Sequence, residues 1–163
     1  MIYVLVILTG WIVTRIIKNR RAGVGSDLGN LGAPDLSPVQ AVVFNAARAW
    51  GVDPSLELAV VEHESGFNPA AVNSSDPSYG LGQVMRFWLK FFNYKDDTTQ
   101  LLDAQFNANI TARILLYFQS KGFKLPDQID IYNVGETLWR KGTRNASYRN
   151  HVVELYNKWK SIL

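Results

Sequence analysis

Residues 54–69 read PSLELAVVEHESGFNP, and this stretch decides the fold. Asp53 followed by Pro54 is a helix start, an acidic cap ahead of a proline whose fixed φ and missing N–H suit the first turn. Gly66 is the matching stop. Between them Leu56, Leu58, Ala59, Val60 and Val61 cover nearly the whole circumference. A helix apolar on all sides belongs at the centre of a domain. Glu64 follows Val60 by four residues and Val61 by three, so it falls in the arc those two define. Its carboxyl is expected at the edge of the core near a helix C-terminus, where desolvation and the negative dipole end both favour the protonated acid. A carboxyl that keeps its proton near neutrality is what a general acid requires. The same pattern also fits a Glu at a frayed helix end that faces water. Glu57 and Glu62 read as solvated charges on exposed arcs, and His63 as a packed or hydrogen-bonded neighbour rather than a base.

Working outward, the signals stay helical. Ser37-Pro38 opens a helix that stops at Gly51, with Val39, Val42, Val43, Ala46, Ala47 and Trp50 as its apolar stripe. Tyr79 to Gln83 is a glycine-containing loop entering an apolar helix over 83–92. Asp103 opens a long helix over 104–121 closed by Gly122. A short helix around Asp130–Asn133 ends at Gly135, and a last one covers about Ala146–Ile162. Strand signals are weak. The expected fold is mainly α, with its domain over 38–163.

The N-terminal segment is different in kind. Residues 2–14 carry no charge, and Lys18, Arg20 and Arg21 follow. This predicts a transmembrane or membrane-anchoring helix over 1–18, a flexible linker over 19–37 and a single-pass membrane protein. A cleaved export signal is the alternative. The positive charge after the apolar run favours a cytoplasmic domain.

Composition narrows the chemistry. The 163 residues include no cysteine and two histidines, which excludes thiol nucleophiles, disulfides and iron–sulfur clusters and argues against a metal site. A net charge of +3 is too small to indicate nucleic acid. No cofactor is expected.

Three motifs then fall in register. Glu64-Ser65-Gly66-Phe67-Asn68-Pro69, with Ala71 and Asn73, resembles the first signature of the soluble lytic transglycosylases. Tyr79-Gly80-Leu81-Gly82-Gln83-Val84-Met85 is similar to the second and Ile131-Tyr132-Asn133-Val134-Gly135 to the third. Asn109-Ile110 and the Tyr148…Val152 pattern resemble further family features. The resemblance implies a goose-type lysozyme-like helical fold and cleavage of the MurNAc–GlcNAc bond of peptidoglycan, with a 1,6-anhydro product. It implies that Glu64 is the acid and that Tyr132 holds its carboxyl. Ser65, Gly80, Leu81, Gln83 and Asn133 would bind substrate or line the site. The chain departs from the family at Gly82, where a methionine is usual, and at Ile131 and Val134, where alanines are usual. These departures imply an altered groove.

Other readings stay open. Asp76, between the first two motifs, fits a water-activating base in a lysozyme-type hydrolase, whereas Asp96-Asp97 reads as a solvated loop. A non-catalytic peptidoglycan-binding subunit and a wall-remodelling enzyme of a cellular secretion or pilus system are further alternatives. A cytoplasmic-side domain that acts on the wall suits a phage virion protein, with the virion membrane or the bacterial envelope as its setting and other virion or envelope proteins as partners.

Overall fold

Ser37 and Gln40 open helix α1 (Pro38–Trp50) with a reciprocal cap, each side chain bonding the other's backbone N–H, and Gly51 ends it in the left-handed region at φ +75°. The computed structural model describes residues 35–163 of the chain. Asp53 caps α2 (Pro54–Ser65) by accepting from the Ser55 N–H, and Gly66 closes it at φ +58°. Both helices keep the bounds their cap signals predict.

Three two-residue strands follow. β1 (Val72–Asn73), β2 (Ser78–Tyr79) and β3 (Val84–Met85) form an antiparallel sheet in the order β1-β2-β3, with Val72 opposite Tyr79 and Tyr79 opposite Val84. The helix expected over 83–92 is corrected here. Gln83 has φ +46°, outside the helical region, so the chain turns into β3 and helix α3 (Phe87–Phe91) starts only afterwards. A 3₁₀ turn (Thr98–Leu102) leads to α4 (Ala104–Ser120), capped by Asp103. Helix α5 (Leu125–Val134) is longer than expected, because Pro126 sits in its first turn rather than before it. Helices α6 (Glu136–Arg140) and α7 (Ala146–Ile162) complete the described residues.

Helix α2 is central. Every residue from Ser55 to Val61 is buried, with Leu58, Ala59, Val60 and Val61 fully covered. One apolar core joins Val43 and Ala47 of α1 to α2, to Ala112 and Leu115 of α4 and to Val152 and Trp159 of α7. Burial of a large side chain at such positions contributes about 1.5–3 kcal/mol. A second core collects Leu89, Leu101, Ile110, Ile114, Phe118 and Ile131. Tyr132 packs against both. Asp130, almost fully buried on α5, accepts from Arg149 of α7 at 2.6 Å and so fixes the two helices that bring tyrosines to the site.

Two expectations for α2 are corrected. Glu57 is not solvated. It is fully buried, and neither carboxyl oxygen has a hydrogen-bond partner among the described residues. Glu62 accepts from Lys158 and from the Trp159 indole N–H, each at 2.7 Å, which ties the end of α2 to α7.

The fold class is corrected at its N-terminal part. The helical lysozyme-like domain stands, but no helix among the described residues is long and apolar enough to cross a membrane. The expected anchor over 1–18 and linker up to residue 34 lie outside the described residues. The single-pass localisation is withdrawn with the membrane-spanning helix, and the virion setting argued from its charge order loses its footing.

Candidate active site

Glu64 is the penultimate residue of α2, half-buried at the wall of a cleft of about 770 Å³. Burial pushes its pKa from 4.5 up to about 7, against a hydrogen bond from Tyr148 that lowers it. The Tyr148 hydroxyl donates to Glu64 Oε1 at 2.5 Å, a short contact of the charge-assisted kind. Tyr148 stands in the first turn of α7, where the Asn145 side chain caps the helix by accepting from its N–H. Burial first, and then the neighbouring carboxylate, pushes the Tyr148 phenol well above its ordinary pKa. It therefore remains a donor throughout the range in which Glu64 titrates.

Tyr132 does not make the contact the motifs implied. It lines the cleft, but its hydroxyl donates to the Gly82 carbonyl at 2.6 Å. The bond ties α5 to the loop between β2 and β3. Of the two tyrosines, Tyr148 holds the carboxyl and Tyr132 holds the loop.

The remaining candidates divide. Gln83 and Asn133 line the cleft with Glu64. Gln83 also braces the loop: its amide donates to Gly80 O at 2.9 Å and Ala71 O at 3.3 Å, and accepts from the Ser78 hydroxyl at 3.0 Å. These bonds hold the left-handed backbone of a non-glycine residue, which otherwise costs about 1–3 kcal/mol. Asn133 accepts from Asn145 at 2.9 Å. Ser65 spends its hydroxyl on the Leu81 carbonyl at 2.7 Å. Leu81 is fully buried and packs in the first core. Gly80, at φ +71°, is also packed inward: an added Cβ would lie 2.1 Å from the Leu101 carbonyl. Asp76 is exposed and lines the cleft, whereas Asp96 is bound by Arg86 at 2.7 Å, away from it. His63 is a packed neighbour: its ring meets Tyr148 edge-on at 4.5 Å, and its Nδ1 is 2.8 Å from Nδ1 of His151. Among the described residues no cluster of three metal-ligating side chains occurs.

Residues 41–152 match the family model for the transglycosylase SLT domain. The chain belongs to that family. The match agrees with the family that the three motifs suggested. The fold is similar to that of an inactive mutant of lytic transglycosylase Slt from Pseudomonas aeruginosa, with a TM-score of 0.58 at 21% identity. The likeness covers 72% of this chain and 23% of that one, so the chain spans under a quarter of that protein's length.

Two residues of this SLT domain carry structural weight that the sequence reading did not assign: Asn107 was not singled out, and Tyr148 was named only as part of a family-like pattern, without a role. Asn107 is fully buried and satisfied on all sides. Its amide donates to Tyr79 O and Leu101 O, both at 2.8 Å, and accepts from the Gly82 N–H at 2.9 Å and the Thr111 hydroxyl at 3.4 Å. A lone Asn on the core face of α4 was its signal. Tyr148 shares the buried face of α7 with Val152, Leu155 and Trp159, and a tyrosine on such a face needs a partner for its hydroxyl.

Gly82, where the SLT pattern usually has methionine, has no room for a side chain. A Cβ there would lie 2.1 Å from Thr111 Oγ1 and 2.8 Å from the Tyr132 hydroxyl. Gly82→Ala is expected to destabilise the fold by about 1–3 kcal/mol by overpacking. Thermal denaturation followed by circular dichroism checks this, and an unchanged melting temperature would mean that α4 yields at no cost.

Proposed function

We propose that residues 38–163 form the catalytic domain of a peptidoglycan lytic transglycosylase, with Glu64 as its general acid and base. The observation that carries the reading is a single carboxyl, half-buried in the cleft of an SLT domain, whose pKa stands at about 7 and whose geometry is fixed by a neutral tyrosine. A group poised near the working pH serves both halves of an acid–base cycle.

In the first half, protonated Glu64 gives its proton to the oxygen of the MurNAc–GlcNAc bond as that bond breaks. The acetamido group of the substrate stabilises the oxocarbenium-like centre, so a second protein carboxylate is not required. In the second half the C6 hydroxyl of the same sugar attacks C1, and Glu64 takes its proton. The product end is a 1,6-anhydro sugar, and Glu64 is protonated again without water having been consumed. The intramolecular attack gains from high effective concentration. Tyr148 is a positioning residue: it orients the carboxyl and stabilises its ionised form. Asn133 offers its amide N–H groups to the glycan, while Gln83, whose amide is bonded within the loop, shapes the cleft wall.

Tyr148→Phe separates positioning from packing. Loss of the hydrogen bond removes the influence that lowers the Glu64 pKa. The protonated form then persists to higher pH, so the alkaline limb of the kcat/KM profile moves upward from about 7. The plateau rate falls by roughly tenfold to a hundredfold as orientation is lost. A pH–rate profile of the full chain on soluble glycan strands checks both effects. A fall in rate with an unmoved limb would assign Tyr148 a purely structural role. The activity itself is tested by release of soluble fragments from purified peptidoglycan by the full chain; no release would overturn the proposal.

A further inference from the structure

Four of the eight large apolar side chains left exposed among the described residues gather in one place, the other four being Val72, Leu102, Ile162 and Leu163. Met85, Phe87, Phe91 and Leu138, between 40% and 52% exposed, all line the cleft that holds Glu64. Phe87 and Phe91 lie four residues apart on α3 and so share one face of it. Their rings are braced by aromatic neighbours that also line the cleft: Trp88 lies 4.5 Å from Phe87 and 5.1 Å from Phe91, and Tyr117 of α4 lies 5.0 Å from Phe91. Fully buried Leu89 pins the short helix to the second core. The result is a rigid aromatic wall facing open solvent within the cleft, and contiguous exposed apolar surface of this kind marks a binding site.

The charges around it select the occupant. Glu64, Asp76 and Glu136 line the cleft, and among the described residues no Lys or Arg does. Arg86 and Lys90, beside the aromatic face, are both committed to Asp96. An anionic ligand would find no counter-charge here. A neutral ring with an apolar C–H face and hydroxyls at its edge fits both the aromatic wall and the amides of Asn73 and Asn133 that line the same cleft.

We propose that Phe87 and Phe91, braced by Trp88 and Tyr117, form a stacking shelf for sugar rings of the glycan strand outside the two that flank the cut bond. The proposal rests on the glycan-cleaving reading of this cleft and adds that the enzyme measures strand length through the shelf. Truncation of an aromatic anchor of this kind weakens binding by about tenfold.

The test uses the full chain carrying Glu64→Gln, so that no turnover intervenes, titrated calorimetrically with the disaccharide and hexasaccharide of N-acetylglucosamine. The hexasaccharide is expected to bind at least tenfold tighter than the disaccharide. Phe87→Ala with Phe91→Ala removes that advantage while changing disaccharide binding less than twofold. Phe87→Leu with Phe91→Leu keeps apolar bulk without flat rings and is expected to lose most of the advantage too, with an unchanged circular dichroism spectrum. Unaltered hexasaccharide affinity in the leucine pair, or an equal loss for both sugars, overturns the shelf. Binding of sugar-free stem peptides that these substitutions abolish also overturns it, by assigning the wall to peptide. The two proposals fail separately: a wild-type chain that does not cleave peptidoglycan but shows the length advantage keeps the shelf and loses the enzymatic reading.

Discussion

Glu64→Gln is expected to reduce peptidoglycan cleavage by about a thousandfold or more while the domain stays folded. The amide has nearly the shape of the carboxyl, and its oxygen still accepts from the Tyr148 hydroxyl, which stands 2.5 Å from Glu64 Oε1. It cannot give or take a proton, so both halves of the cycle stop. Stability is expected to move in the opposite direction, and pH decides by how much. Burial raises the Glu64 pKa from 4.5 to about 7. Between those values the unfolded chain releases its proton first, so the wild type loses stability as pH rises through that window and levels off above it. The glutamine variant carries no such loss. It is expected to melt higher than the wild type at pH 8, by on the order of 2 kcal/mol, and to match it at pH 4. Paired activity and melting measurements check this. An inactive variant that also melts far lower would show a folding defect rather than a missing acid.

Glu57→Leu is expected to produce the largest gain in stability. Glu57 is fully enclosed in α2, its two oxygens lack partners among the described residues, and burial pushes its pKa well above 4.5. A buried polar group without a hydrogen bond costs about 1–3 kcal/mol, which a leucine of similar volume recovers. The raised pKa adds a pH dependence of known sign. The cost is smallest below the unfolded-state value, where both states hold the proton, and it grows as pH rises from there toward the folded-state value. The leucine variant is therefore expected to gain most at pH 8 and least at pH 4. The gain at neutral pH corresponds to a rise in melting temperature of roughly 3–10 °C. A lower melting temperature at both pH values would mean that Glu57 has partners that offset its burial.

These two glutamates show how much of the fold and site was legible before any coordinates. The bounds of α2 rest on local chemistry, an Asp-Pro start and a Gly stop, and they hold. Glu64 was placed at the core edge because it shares an arc with Val60 and Val61. The same rule applied to Glu57 puts it three and four residues before those valines, on the same buried arc. A charged residue was instead taken to mark an exposed side, but α2 has no such side over its first two turns, because neighbours enclose it all round. Whether a helix face is covered is decided by those neighbours, not by the helix.

The partner of Glu64 was out of reach for a related reason. Tyr148 lies 84 residues away, and only the packing of α7 on α2 brings its hydroxyl to the carboxyl. The motif order pointed to Tyr132, which lies in the same cleft but is bonded to Gly82. The loop motif was read correctly as a loop, and of its residues Gln83 lines the cleft while others pack inward. Leu81 is buried, Ser65 and Asn107 bond backbone from within, and the glycines at 80 and 82 make room for the 3₁₀ turn and α4. The close backbone approach that glycine permits is seen here against protein neighbours.

Digestion of purified peptidoglycan by the full chain in ¹⁸O-labelled water, with mass analysis of the fragments, tests the central claim most directly. The expected result is fragments ending in 1,6-anhydro-MurNAc without the label, formed by the wild type and not by Glu64→Gln. Reducing ends carrying ¹⁸O would contradict it, since water rather than the C6 hydroxyl would then be the attacking group, with Asp76 as the cleft carboxylate available to activate it.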